Sequence, residues 1–291
     1  MSRLKISAIS YLNTAPLMWD FEREPPAPGQ VADYDISYTV PSACAEALRA
    51  GTADIGIIPS AAYAAVPNLV IIPDIAIASR RAVRSILLVS KMPVKTQVDP
   101  LSKNRRSKEK WLKRVRTVAL DTSSMTSVAL AKILFAKWLG GTCDYKPMPP
   151  NLDAMLDVCD AAVLIGDPAL QIDRTRYFTL DLAEEWLART GKSFVFAFWA
   201  IRQEALTGRD GRAITDVFKQ SRDHGLSPRN LEAIAQEWAP RLGLNIEAIR
   251  VYLTQNIHYY LDPPCLEGLE LYYHLAAEIG ALPAAPELRF L

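Results

Sequence analysis

This chain lacks the residue patterns that announce metal, redox or nucleotide chemistry. Its 291 residues include four cysteines, Cys44, Cys143, Cys159 and Cys265, and no two of them form a CxxC pair. That spacing indicates neither a zinc site nor a dithiol motif, so no metal is expected and buried free thiols are. Histidine is scarce: His224, His258 and His274 all fall in the C-terminal part, on stretches that read as amphipathic helices, where they serve packing or surface roles. There is no P-loop, no GxGxxG after a strand, no HExxH and no GxSxG elbow. Charge of one sign is missing too. The formal net charge is +1, which gives no global attraction to nucleic acid or to an anionic membrane. No apolar run has the length of a bilayer span. The N-terminus shows no apolar core of a secretory signal, so a cytoplasmic location is expected.

What is present is a long, half-hydrophobic chain that alternates strands and helices. Leu4 to Ala8, Asp35 to Val40, Ala53 to Ile58, Leu69 to Ala78 and Val83 to Ser90 read as strands. Pro41 to Ala50 reads as a helix, with Pro at its first position and Gly51 at its end. Ala53 to Ile58 is apolar on nearly every position, as in a strand covered on both faces. The βαβαβ order predicts a mostly parallel sheet. A second α/β run follows, with strands at Thr117 to Leu120, Ala161 to Ile165, Tyr177 to Leu180 and Phe194 to Ile201, and a helix through Leu139. From Asp210 onward the chain reads as helical, with Ser227, Asn245 and Asp262 as successive N-cap signals. The aromatic-rich stretch from Tyr252 to Tyr273 reads as packing between these helices.

The expected architecture is therefore an α/β two-lobed clamshell with a ligand cleft between the lobes. The first lobe is expected from 1–90 plus 200–291, and the second from 91–199. The second begins with a basic insertion at about 100–114, read as a solvated surface segment. Ligands in such folds lie at the carboxyl ends of strands.

Five polar loops fall at strand ends. Lys5 to Ile9 runs into Ser10-Tyr11-Leu12-Asn13-Thr14-Ala15-Pro16, where neutral hydrogen-bonding side chains meet a helix entrance. Ile58-Pro59-Ser60 ends a buried strand on a hydroxyl. Val83-Arg84-Ser85 enters a crossing strand. Thr122-Ser123-Ser124-Met125-Thr126-Ser127 carries more hydroxyls than one helix cap needs, as suits an anion site. Gly166-Asp167-Pro168 offers close backbone approach and a carboxylate. Each also reads as an ordinary cap or turn; together they point to a small carboxylated ligand.

In this order, these segments resemble the chorismate dehydratases of the futalosine pathway of menaquinone biosynthesis. The resemblance is carried by Ile9-Ser10-Tyr11-Leu12-Asn13-Thr14-Ala15-Pro16-Leu17 and by Gly51-Thr52-Ala53-Asp54-Ile55-Gly56-Ile57-Ile58-Pro59-Ser60. Val83-Arg84-Ser85, the Ser/Thr loop, Leu164-Ile165-Gly166-Asp167 and Thr190 to Trp199 extend it over most of the chain. Two places depart from the family pattern: Arg80-Arg81-Ala82 stands where a Gly is usual, and Lys192-Ser193 replaces a Leu-Pro.

The resemblance implies a type II periplasmic-binding-protein-like fold that acts as a lyase. It would convert chorismate to 3-[(1-carboxyvinyl)oxy]benzoate by loss of water, with no cofactor. Asn13, Ser85 and Asp167 are the candidate catalytic residues. Ser10, Tyr11, Ser60, Arg84, Thr122, Ser123, Ser124, Thr126, Ser127 and Gly166 are the candidate binding residues. In this reading the Ser/Thr loop binds one carboxylate, Ser60 and Ser85 contact the other or the ring hydroxyl, and Asn13 orients that hydroxyl as it leaves. The proton acceptor is either the substrate's own enolpyruvyl carboxylate or Asp167. The alternatives are a solute-binding protein for a small carboxylate, the sister enzyme forming 1,4-dihydroxy-6-naphthoate, and the effector domain of a transcription regulator.

Overall fold

The computed structural model describes residues 3–22, 34–91, 111–139, 141 and 143–291. Most of the basic insertion expected at about 100–114 lies outside these residues.

Two five-stranded sheets divide the molecule. The first holds β1 (Leu4–Ile9), β2 (Tyr34–Thr39), β3 (Ile55–Pro59), β4 (Leu69–Ser79) and β10 (Phe194–Arg202), in the order β2-β1-β3-β10-β4. The second holds β5 (Ile86–Lys91), β6 (Thr117–Asp121), β7 (Asp144–Met148), β8 (Ala161–Ile165) and β9 (Tyr177–Asp181), in the order β7-β6-β8-β5-β9. The two orders are the same pattern. In each sheet β1–β3 or β6–β8 pair in parallel, and one strand that has just crossed from the other sheet inserts antiparallel. A returning strand enters from the cleft end, so it must run against its neighbours. The sheets are therefore mixed rather than mostly parallel.

The crossing strands also refine the expected division. All of β5 but its last residue falls in 1–90, yet it pairs in the second sheet, and β10 begins before residue 200 but pairs in the first. The chain changes sheet at 80–85 and again at 182–193. Asp181 ties these crossings together. Its carboxylate accepts from the backbone N–H of Val83 and Arg84 on one crossing, and from Ala183 and Glu184 at the start of the other.

Local sequence accounts for most elements. β3 and β10 are buried almost throughout, which matches their continuous apolar runs. Asn245 and Asp262 cap their helices through their side chains. Ser227 does not; there Pro228 at the first position starts the helix Pro228–Leu242. The expected helix through Leu139 is α-helical over Thr126–Leu134 and ends in a π-helical turn, Phe135–Leu139. The short edge strand β7 carries Lys146 and Pro147, which interrupt an apolar strand pattern and which an edge position tolerates.

The C-terminal helices pack on the first sheet, and the helix Pro263–Glu278 lies against β10. Both departures from the family pattern find acidic partners at this helix: Arg80 pairs with Asp262, and Lys192 with Glu267. Cys44, Cys159 and Cys265 are buried and Cys143 half-buried, all as free thiols. Among the described residues, no helix is long and apolar enough to cross a membrane.

Candidate functional site

Strand direction decides where a cavity can form. The carboxyl ends of β1, β3 and β8 and the amino ends of the antiparallel β5 and β10 all meet between the sheets. Ile9, Pro59, Ile165, Ile86, Phe196 and Ala197 from these ends wall a narrow cavity of about 50 Å³. Ile77, Pro41 and Met125 complete the apolar lining, and Tyr11, Asn13, Ser124, Thr126 and Ser127 supply its polar side chains. No lining residue carries a charged side chain.

One wall is the N-terminus of the helix Thr126–Leu134. The residue before it, Met125, caps nothing through its side chain. First-turn amides of an uncapped helix are unpaired donors. Ser124 and Ser127 are nearly buried, at 8% and 3% exposure, and line the cavity. Neither hydroxyl is committed to a protein partner among the described residues. This wall offers neutral donors to an anion without any cation.

Thr126 lines the same wall, but its hydroxyl is committed. Oγ1 accepts from Ala61 N at 3.1 Å and donates to the Phe196 carbonyl at 3.0 Å. It joins the second lobe to the first. A backbone bond from Ser42 N to Ser123 O, 3.0 Å, does the same beside it. Ser123 folds the turn: its N–H and hydroxyl both donate to Asp121 Oδ1, at 2.8 and 2.6 Å. Asp121 is fully buried, and its desolvation pushes the carboxyl pKa up. With its own proton on Asp121, Ser123 accepts from the Tyr11 hydroxyl, 3.5 Å away.

The opposite wall is the opening loop. Leu12–Met18 forms a 3-10 helix with Pro16 inside it, so Pro16 does not begin the helix as its position suggested. Tyr11 precedes this turn and lays its ring over Gly166. Gly166 has φ +62°, and a β-carbon there would stand 2.5 Å from the ring. Asp167 then reaches back: its carboxylate accepts from Leu12 N at 3.0 and 3.3 Å. Burial raises the Asp167 pKa to about 6, and the Leu12 amide opposes that rise. The carboxylate thus acts as a latch between lobes and is not part of the cavity lining.

Asn13 lines the cavity at 9% exposure. Ser85 is fully buried outside the lining, and its hydroxyl accepts from Tyr252 at 2.9 Å. Besides Asp167 and Ser123, neither of which lines the cavity, the structure leaves four other candidates away from its wall. Ser60 is fully buried and donates to the Val195 carbonyl at 2.8 Å. Ser10 lines a separate outer groove with Tyr38, Trp238 and Arg241. Thr122 is exposed. Arg84 adopts φ +67° so that its N–H meets Asp181, and its side chain lies outside the lining. In each case a side-chain or backbone group is bonded to a segment distant in sequence: Ser60 to Val195, Arg84 to Asp181, Ser10 to Thr39 and Thr122 to Met148.

Sequence reasoning missed the apolar walls and the bond from Tyr252 to Ser85. The walls had a signal: most of them lie at strand ends facing the cleft. Tyr252 had none beyond its place in an aromatic-rich stretch. His258, Asp262 and Cys265 bring ligand atoms within 4.8 Å of one another, but Asp262 is held there by Arg80, His258 and the Cys265 N–H, and none of the three lines the cavity.

A family sequence model described as menaquinone biosynthesis matches residues 4–278. The chain belongs to the menaquinone-biosynthesis family. A chorismate dehydratase of Thermus thermophilus is 33% identical over 186 residues, covering 58% of this chain and 64% of that protein. The matched stretch is thus somewhat under two thirds of the relative's length. In three dimensions this family member is similar to a protein of Archaeoglobus fulgidus (TM-score 0.73, 15% identity, 96% of this chain and 98% of the other). It is also similar to the aliphatic sulphonate binding protein of Escherichia coli (TM-score 0.64, 18% identity, 99% and 94%). At these identities the likeness concerns the fold: a two-lobed, periplasmic-binding-protein-like α/β architecture.

Proposed function

We propose that this family member is a lyase that dehydrates chorismate to 3-[(1-carboxyvinyl)oxy]benzoate. The observation that carries this reading is an interlobe cavity with donors on both walls and no charged side chain. Chorismate carries two carboxylates and one ring hydroxyl. Ser124, Ser127 and the first-turn amides of Thr126–Leu134 receive one carboxylate; Asn13, across the cavity, donates to the ring hydroxyl. The apolar ends of β5, β8 and β10 enclose the ring.

The chemistry suits such a site. The ring C–H beside the enolpyruvyl ether breaks, its electrons enter the ring, and the adjacent C–O bond breaks. The departing hydroxide takes a proton and leaves as water, and the ring becomes aromatic. The C–H proton is conjugated through the diene to the ring carboxylate, so negative charge builds there in the transition state. Fixed neutral donors stabilise such charge without reorganising. Aromatisation supplies a large driving force, so no strong protein base is required. The substrate's enolpyruvyl carboxylate takes the proton and returns it to the hydroxide. No cofactor enters this scheme.

The fold likeness favours one other reading, a binding protein for a small organic anion. Purified protein incubated with chorismate alone distinguishes them. The expected result is an aromatic ultraviolet spectrum and a product lighter by one water. Chorismate bound and recovered unchanged would reject the lyase reading, and a naphthoate-type activity on a different substrate would point to the sister enzyme.

A further inference from the structure

The cavity between the lobes is smaller than the ligand proposed for it. Its volume is about 50 Å³. One water needs about 10–15 Å³ of such space, so the cavity as it stands holds a few waters and not a ring bearing two carboxylates. Room must come from movement, either of the lobes or of a side chain in the wall.

The lobes are fastened together. To the bonds made across the cleft by Thr126, Ser42 and Asp167, the C-terminal helices add three more. The Tyr272 hydroxyl, on the helix Pro263–Glu278, donates to the Thr126 carbonyl at 3.3 Å; Gln171 Nε2 donates to the Leu242 carbonyl at 3.1 Å; and Lys137 pairs with Glu278. Parting the lobes breaks these bonds together, and those at Thr126 are buried.

The wall has one weaker place. Beside the cavity lies the outer groove, about 280 Å³, lined by Thr14, Met18, Tyr38 and Trp238, with one acid, Glu22, and one base, Arg241. Cavity and groove share two lining residues, Ile9 and Tyr11. Ile9 ends β1 and is held in the sheet at 3% exposure. Tyr11 is half-buried. Its side chain makes one hydrogen bond among the described residues, to Ser123 Oγ at 3.5 Å, a length at which such bonds are weak. Its ring rests on the bare backbone of Gly166, which has no side chain to interlock with it. Tyr11 can therefore turn aside while the sheet and the bonds between lobes stay intact.

We propose that the outer groove is the entry subsite for the ligand, a ring carboxylate, and that Tyr11 is the partition the ligand displaces to reach the cavity. Turning the ring joins the cavity to a space several times its size. The acid and the base of the groove balance, so an anion passes through without being held there. The proposal takes its ligand from the chorismate reading and deepens it: the site that receives substrate is the cavity and the groove together.

The test follows tryptophan fluorescence in stopped flow as the protein is mixed with the product, 3-[(1-carboxyvinyl)oxy]benzoate, which binds without turnover. Trp238, half-buried in the groove wall, reports passage. In the wild type the observed rate is expected to rise with product concentration and level off, because the turn of Tyr11 limits entry. Tyr11→Ala is expected to raise that plateau by about tenfold or more, and Tyr11→Trp to lower it by about the same factor, as gating steps respond. The early part of the signal disappears in Trp238→Phe. Solution scattering gives the same radius of gyration with and without product. An unchanged plateau in the Tyr11 variants, an early signal that survives Trp238→Phe, or a free protein larger than the bound one would each overturn the proposal. If Tyr11→Ala does not fold, Tyr11→Trp and the scattering decide. Wild-type protein that neither converts chorismate nor binds the product overturns the chorismate reading and this proposal together. An active wild type whose plateau is indifferent to residue 11 overturns this one alone.

Discussion

The ring of Tyr11 rests on the α-carbon of Gly166, a contact between lobes that leaves no room for a β-carbon. The backbone at Gly166 is left-handed, at φ +62°. Gly166→Ala therefore meets two obstacles: a conformation costing about 1–2 kcal/mol for an L-residue, and displacement of a ring that lines the cavity. We expect a lowered thermal midpoint and a fall of at least about tenfold in kcat/KM for chorismate, since misplacement of a lining group is felt at the reacting atoms. Unchanged kinetics would show that the Tyr11 position does not matter to turnover.

The parts of this site that were legible in the sequence are those set by local order. The opening loop and the Ser/Thr loop follow buried strands directly, and strand direction carries Tyr11, Asn13, Ser124 and Ser127 to the cavity. What was illegible depends on partners distant in sequence. Nothing near Ser60 shows that its hydroxyl is used by Val195, nor that Asp167 serves the Leu12 amide, 155 residues away. Ser85 meets Tyr252 across 167 residues. The two-sheet fold was readable from alternating strands and helices. The places where the chain changes sheet were not, because β5 and β10 look like any apolar strand and only pairing assigns them.

Asp167 gives stability a pH dependence. Its pKa in the folded protein, about 6, lies above the ordinary value of 3.8. The folded state thus binds this proton more tightly, and that contribution is complete below about pH 4 and lost as pH rises through 6. Asp167→Asn keeps an oxygen for the Leu12 N–H but carries no charge to desolvate. Its unfolding free energy should equal the wild type's near pH 4 and exceed it by about 2 kcal/mol at pH 7. Urea titrations at several pH values measure this. The variant should retain turnover to within a few-fold at pH 7; a loss of several orders of magnitude would make Asp167 the proton acceptor instead of a latch.

Ser124 and Ser127 should act on binding more than on chemistry. Each offers a neutral hydroxyl to a carboxylate, and a hydrogen bond to a charged group is worth about 1.5–3 kcal/mol. Ser124→Ala and Ser127→Ala are each expected to raise KM for chorismate about 10-fold or more, with smaller changes in kcat. The double variant should bind weakly enough to be read by titration calorimetry. A fall in kcat at constant KM in either variant would place that hydroxyl on the developing charge instead of on a ground-state carboxylate.

Thr126 tests whether the cleft is held shut by the protein or by its ligand. Its hydroxyl serves two buried backbone groups at once, the Ala61 N–H and the Phe196 carbonyl, both on the far side of the cleft. Thr126→Val preserves shape and removes both bonds, leaving a donor and an acceptor unsatisfied. Orphaned buried groups cost about 1–3 kcal/mol each, and the lobes can recover that cost only by parting to admit water. We expect lower stability, a larger radius of gyration in solution scattering, and a KM increase that saturating chorismate overcomes. Thr126→Ser restores the hydroxyl and should restore all three. If the valine variant stays as compact as the native chain, the closed arrangement rests on the Tyr11–Gly166 and Asp167–Leu12 contacts, and the hydroxyl of Thr126 only packs the helix against its neighbour.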